Sequence, residues 1–246
     1  MSKVKITERD VTLFRFLHNY KVASTKQIAQ EVFKVYSGTT RERLYKLRVD
    51  GWIKSVCRDE DGDRSISYSL SRKGHLLLKK FYPESFHIDR YRSNSVDHDL
   101  RLIDIYKLFK TKKLVTKYWP ENYLQTSKLV DKDITLSHFR DIQVDAVLKL
   151  DDKKGANLLC VVEYEASLKS VSRYARKIKQ YYESPVVEVI LCIPKSREIM
   201  KRIQNSEMEV SPEGDKKIYY LEFEKFISGS QKVTFHNLNQ QVLEVS

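Results

Sequence analysis

Three carboxylates in the second half of the chain stand where β-strands would bring them together. Asp145 lies in the alternating run Val144 to Leu150, and Glu163 and Glu165 close the nearly continuous apolar run Leu158 to Glu165. Side chains two apart on a strand project from the same face, so Glu163 and Glu165 share one. The charged turn Asp151-Asp152-Lys153-Lys154-Gly155 joins the two runs as a hairpin and sets Asp145 beside that pair. Carboxylates held so close repel, and protonation or a hard cation relieves them; oxygen ligands at a half-open site suit Mg²⁺ or Mn²⁺. A bound cation with a lysine nearby can activate water and stabilise charge on phosphorus, which is what breaking a phosphodiester requires. Lys169 and Lys177, on the segment that follows, are the candidate cations. The competing reading makes Glu163 and Glu165 strand-end acids paired with Arg173 and Lys177 for solubility.

The elements that would position these groups form an α/β pattern. After the two strands the spacing predicts a helix over 168–183, with Val171, Tyr174, Ala175, Ile178 and Tyr182 facing inward. A buried strand over 187–193, a helix over 196–204 and a strand over 218–223 follow. Upstream, Ser93-Asn94-Ser95 caps a helix running to about Lys110 that joins two domains or makes a dimer contact; His98 within it reads as a capping or core histidine, since no second His lies at ligand spacing. The expected organisation is a domain over 1–85, a connecting helix over 86–112 and a second domain over 113–246, with 205–246 outside any motif.

The first of these has its own signature. Thr7 followed by Glu8, Arg9 and Asp10 is a helix start, and the helix ends near Tyr20. Ser24 caps a second helix, Thr25 to Val32; Ser37-Gly38 breaks the chain; Thr39 to Asp50 is a third helix ended by Gly51. Three helices with short turns make a helix-turn-helix. In the third, Leu44, Leu47 and Gly51 take the inner side and leave Thr39, Arg43, Lys46 and Asp50 outside, facing a major groove. Arg43 is placed to read guanine in bidentate fashion, Arg41, Lys46 and Arg48 to clamp phosphates, and Thr39 and Thr40 to touch the helix's DNA side. Two strand-like runs, Trp52 to Cys57 and Ser65 to Leu70, flank an Asp-Gly turn and make a wing whose Arg58 and Arg64 straddle a backbone or enter the minor groove. Asp59, Asp61 and Asp63 lack the downstream Glu and spacing of a calcium loop.

Composition bounds the partners. The 246 residues carry a net charge of +12, of which +9 lies in residues 1–92 and +3 in 93–246, a split that points the N-terminal part at a polyanion. Seven Gly, five Pro and 41% hydrophobic residues exclude collagenous and disordered classes. No apolar run approaches the roughly 18 residues of a membrane span, and the start shows no secretory signal, so a cytoplasmic location is expected. Cys57, Cys160 and Cys192 are far apart and read as reduced thiols rather than disulfides or a zinc site.

The motifs R-x-R-L-Y-K-L…G-W-I and Y-S-L-S-R-K-G resemble winged helices. Val144-Asp145-Ala146, then Val162-Glu163-Tyr164-Glu165, then Lys177 with Tyr181 four residues on, resemble the D…E-x-(K/E) core of the PD-(D/E)xK restriction-endonuclease-like fold. In this order the chain is similar to the replication-relaxation family and to the MOBC class of conjugative plasmid relaxases. The resemblance implies an α/β (α+β) protein, a winged helix-turn-helix followed by a restriction-endonuclease-like domain. It implies recognition of a plasmid origin of transfer in double-stranded DNA and a metal-dependent nick of one strand. Asp145, Glu163 and Glu165 would then be the Mg²⁺ or Mn²⁺ ligands, and relaxosome or coupling proteins, with a second copy of the chain, the partners. Glu165 stands where the restriction-enzyme pattern has Lys, so Lys169 or Lys177 would supply that charge from the helix. The alternatives are a non-catalytic relaxosome or replication accessory protein and a winged-helix repressor.

Overall fold

The computed structural model describes residues 4–56, 66–83, 86–87, 95–151, 157–229 and 232–246. It divides into two compact units: residues 1–103 with 122–133, and residues 104–121 with 134–246.

The first unit opens with α1 (Glu8–Tyr20), started by a capping box in which the Asp10 N–H donates to the Thr7 hydroxyl and the Thr7 N–H to the Asp10 carboxylate. After β1 (Val22–Ser24), a second box joins Ser24 and Gln27 at the head of α2 (Thr25–Ile28). The expected helix to Val32 changes character instead, its second half, Ala29–Phe33, winding as a π-helical turn that ends at Lys34 in the left-handed region. Helix α3 (Ser37–Val49) begins two residues earlier than expected, so Ser37 and Gly38 form its first turn rather than a break. Gly51, at φ +75°, turns the chain out of it, a conformation that suits a residue without Cβ. β2 (Ile53–Val56) and β3 (Ser67–Leu70) pair antiparallel, and β1 adds to the far side of β3, giving the order β1-β3-β2. Helix α4 (Arg72–Phe81), capped by Ser71, follows. Three helices against this small antiparallel sheet make a winged-helix-like arrangement. The tip of the expected wing, with Cys57, Arg58 and Arg64, lies outside the described residues.

The unit also takes in residues 122–133, a departure from a boundary at residue 85. The cause is hydrogen bonding: Asn122 donates to the His18 carbonyl at 2.5 Å, and His18 Nε2 lies 2.9 Å from the Thr126 hydroxyl. His18 is fully buried, and burial lowers its pKa to about 3, so it is neutral at this contact. Phe86 forms an isolated antiparallel bridge to Ser127 in the same unit.

The helix expected over 93–110 is α5 (Val96–Lys110), and the boundary between units falls within it. The second unit is built on a seven-stranded sheet. β4 (Val115–Pro120), β5 (Ala146–Asp151) and β6 (Asn157–Glu165) run antiparallel to their neighbours; β6, β7 (Val189–Pro194) and β8 (Ile218–Tyr220) run parallel. β9 (Val233–His236) and β10 (Val242–Val245) complete the order β10-β9-β8-β7-β6-β5-β4. Parallel neighbours need crossovers, supplied by α8 (Val171–Glu183) and α9 (Arg197–Val210), which pack on each other. The shorter helices α7 (Ile134–Asp141) and α10 (Phe223–Ser228) sit at strand ends, while α6 (Glu121–Thr126) follows β4 and passes, from Asn122 on, into the first unit. β6 is central, and Cys160, Val161, Val162 and Tyr164 are each no more than 1% exposed, which explains its unbroken apolar run. No helix among the described residues is long and apolar enough to cross a membrane.

One packing contact has a direct test. A Cβ on Gly74 in α4 would sit 2.5 Å from both the Trp52 carbonyl oxygen and a Leu70 methyl. Gly74→Ala should therefore lose about 1–3 kcal/mol in urea unfolding despite alanine's better helix propensity; an unchanged midpoint would show that the β2–α4 junction gives way freely.

Candidate functional site

The strand order brings Asp145, Glu163 and Glu165 to one end of β5 and β6, on the same unit as α8. Glu163 and Glu165 are 7% and 9% exposed, so they are not the solvated strand-end acids of the competing reading. Asp145 lies just before β5; its Oδ2 accepts the Tyr164 N–H at 2.8 Å, and its carbonyl accepts the Glu121 N–H at 2.7 Å. The α8 side chains complete the cluster. Lys177 Nζ is 3.5 Å from Glu163 Oε1 and donates to the Gln143 carbonyl at 2.7 Å, while the Tyr181 hydroxyl donates a short hydrogen bond to the same Glu163 oxygen. Lys169 Nζ lies 2.5 Å from Glu165 Oε2. The turn bearing Lys169 is held by Tyr174, whose hydroxyl accepts from the Lys169 N–H and donates to the Ser167 carbonyl, both at 3.2 Å.

These surroundings set the protonation of the acids. Burial pushes the Glu163 carboxyl up to about 7; Lys177 and Tyr181 oppose that, and the charges of Asp145 and Glu165 add to it. Glu165 is also raised, by burial first and against the pull of Lys169. A carboxyl that titrates near neutrality beside an ammonium and a phenol is equipped for proton transfer. The expected metal set of Asp145, Glu163 and Glu165 is a different matter. Among the described residues no group of three His, Cys, Asp or Glu side chains comes together so as to hold a metal ion. The physical reason is that each acid is committed elsewhere: Asp145 to a backbone N–H, Glu163 to Tyr181 and Lys177, Glu165 to Lys169. The residues as arranged do not fit a preformed Mg²⁺ or Mn²⁺ centre.

In the first unit, α3 exposes Thr39, Arg41, Lys46 and Arg48 as expected and turns Thr40 and Arg43 to internal partners. Thr40 is fully buried and donates to the Tyr36 carbonyl at 3.4 Å, so it belongs to the core with Leu44 and Leu47. Arg43 is held by partners inside the unit. Its Nε donates to Asp10 Oδ1 at 2.9 Å, a second guanidinium nitrogen donates to Asp10 Oδ2 and to the Lys5 carbonyl, and Asp10 is 1% exposed. Burial alone would raise the Asp10 pKa, but Arg43 and Thr7 outweigh it and hold the carboxyl below its usual range. Thr39 is exposed, and Lys46 reaches Glu42 at 2.6 Å across one turn. Beside Thr39 and Lys46, a second solvent-facing arc of α3 runs through Arg41, Tyr45 and Arg48, at spacings of four and three. The Arg48 guanidinium stacks over the Tyr45 ring, 5.5 Å from its centroid.

Sequence reasoning missed Tyr181 as the Glu163 partner and Tyr45 on the basic arc. Both had a signal: Tyr181 is four residues from Lys177, and Tyr45 is four from Arg41. Arg58 and Arg64 lie outside the described residues.

Residues 14–184 match the protein family described as Replication-relaxation. A comparison with curated proteins finds no match. Among solved structures, ZitR of Lactococcus lactis, described as a zinc-responsive MarR family member, is 26% identical, covering 33% of this chain and 55% of its own, with a TM-score of 0.29. A mutant of the same protein is 24% identical, over 32% of this chain and 53% of its own, with a TM-score of 0.29. The chain thus spans about half the length of these structures.

Two outcomes follow from this geometry. Arg43→Ala strands a buried carboxylate and should cost about 2–4 kcal/mol of stability by chemical unfolding, while changing DNA affinity, measured well below the melting transition, far less than Arg48→Ala does. Equal losses of affinity would return Arg43 to the contact surface. The second concerns pH. Glu163 has a folded pKa near 7 against an ordinary 4.5, so the native state holds the proton more tightly than the unfolded chain, and stability falls as pH rises through that window. Glu163→Gln should flatten this slope and gain on the order of 3 kcal/mol relative to the parent between pH 4.5 and 7; parallel stability–pH curves would contradict it.

Proposed function

The chain belongs to the replication-relaxation family, and we propose that it is a DNA-binding protein of plasmid replication and relaxation that docks α3 on duplex DNA. The observation that carries this reading is the arc of Arg41, Tyr45 and Arg48 on a winged-helix-like frame, within the segment that holds +9 of the net charge. Arginines on such a helix meet phosphates and base edges, and each phosphate neutralised releases counterions. The DNA is a plasmid origin of transfer, and other relaxosome proteins are the natural neighbours there. For the second unit we propose a restriction-endonuclease-like fold. An antiparallel hairpin whose second strand ends in paired acids, followed by a crossover helix and a parallel strand, supports it.

A second reading makes the protein a nicking endonuclease, and one observation favours it. Glu163 is buried, titrates near 7 and touches both Lys177 and Tyr181, a combination that a purely structural strand end does not need. In this reading Glu163 and Lys177 carry the proton transfers, and Lys169 holds Glu165 in place beside them.

The test has two arms. Binding to origin fragments should weaken steeply with salt, and Arg41→Ala or Arg48→Ala should each lower the slope of log K against log salt by about 1; a salt-independent affinity would defeat the DNA-binding reading. On the second reading, supercoiled origin plasmid incubated with Mg²⁺ or Mn²⁺ would give a nicked circle that Glu163→Gln and Lys177→Ala abolish. Origin footprints with no nicking at any metal concentration leave the accessory role alone standing.

A further inference from the structure

Between α2, the start of α3 and β3 lies a groove of about 810 Å³, walled by Tyr36, Arg41, Tyr45 and Arg48, with Lys26 at its rim and Ala29 in its floor. Its chemistry is unusual for a surface that meets only paired DNA. Tyr36 is 83% exposed and Tyr45 55%, although a phenol ring left in water forgoes the burial that aromatic side chains normally obtain. Of the described residues that line the groove, none is acidic, and three are cationic. Arg41 and Arg48 stand two helical turns apart on one side of α3, about 10 Å along its axis.

Base pairs in a duplex spend their π-faces on each other and offer a protein only edges and phosphates. Exposed rings in a concave, cationic slot match the opposite case, in which bases are unpaired and their faces are open; aromatic platforms beside positive charge are the means by which proteins hold single strands. We infer that this groove binds unpaired nucleotides of single-stranded DNA, by stacking on Tyr36 and Tyr45 and by phosphate contacts to Arg41, Arg48 and Lys26. Arg48 already covers one face of Tyr45, so a base on the other face completes a stack of guanidinium, ring and base. The inference rests on the proposed DNA-binding role and adds to it that the same unit distinguishes opened from closed DNA.

The experiment compares two probes at one ionic strength by fluorescence anisotropy, a 15-mer of thymidine and a blunt 25-base-pair duplex with no unpaired bases. Tyr36→Ala, outside the arc of α3 that meets the duplex, should weaken binding to the thymidine oligomer about tenfold and change duplex binding by less than about twofold, and Tyr45→Ala should weaken oligomer binding about tenfold as well. Tyr45→Phe, which keeps the ring, should bind the oligomer as the parent does. Both tyrosines are exposed, and circular dichroism verifies that the variants are folded. Equal losses on both probes for Tyr36→Ala, or no loss on the oligomer for either alanine variant, would overturn the inference while leaving duplex recognition intact. Failure of the parent to bind either probe would remove the DNA-binding role and this inference with it.

Discussion

A carboxyl group taken out of water must be met by a donor or a cation, or keep its proton, because the desolvation of its charged form exceeds what most folds can absorb. That demand organises both units. In the first, Asp10 is nearly inaccessible and ties the start of α1 to the middle of α3 through Arg43, while Lys21 meets Asp99 at 3.3 Å with both side chains buried. In the second, Glu207 on α9 is fully buried and accepts hydrogen bonds from Tyr182 on α8 and Tyr220 on β8. Glu163 and Glu165 obey the same rule, with partners drawn from α8 and from the turn before it. The cluster at the end of β6 is thus one solution among several to a general problem, distinguished by the crowding of its acids and by the near-neutral titration of Glu163.

Much of this architecture was legible in the residues. The caps at Thr7, Ser24 and Ser71, the turn at Gly51 and the apolar run of β6 all express local rules, and the structure keeps each of them. What the sequence withheld was set by distant partners. Arg43 reads as a surface arginine on any helical wheel until Asp10, thirty-three positions away, is found buried beneath it. Thr40 reads as polar and exposed, yet its hydroxyl is satisfied by the Tyr36 carbonyl and its methyl joins the core. Strands β4 and β10 carry no strong alternation of their own and are defined by pairing.

For the carboxylates, spacing foretold proximity but not commitment. The i, i+2 relation of Glu163 and Glu165 put them on one face, as expected from strand geometry. Whether such acids stay open to a cation depends on what the next helix brings, and α8 brings Lys177 and Tyr181 on successive turns. The two basic features of the chain therefore have different physical characters. Lys177 of α8 and Lys169 of the turn before it are spent on internal acids, whereas Arg41 and Arg48 face solvent.

The passage of residues 122–133 into the N-terminal unit bears on how the molecule can be dissected. A fragment ending near residue 112, the natural cut by linear reading, would leave behind the Asn122 amide that serves the His18 carbonyl and the Thr126 hydroxyl that faces its ring. An imidazole adapted to a dry, uncharged setting would then be opened to water and protons. The reader half is stitched from two stretches of polypeptide, and neither gene fragment encodes it whole.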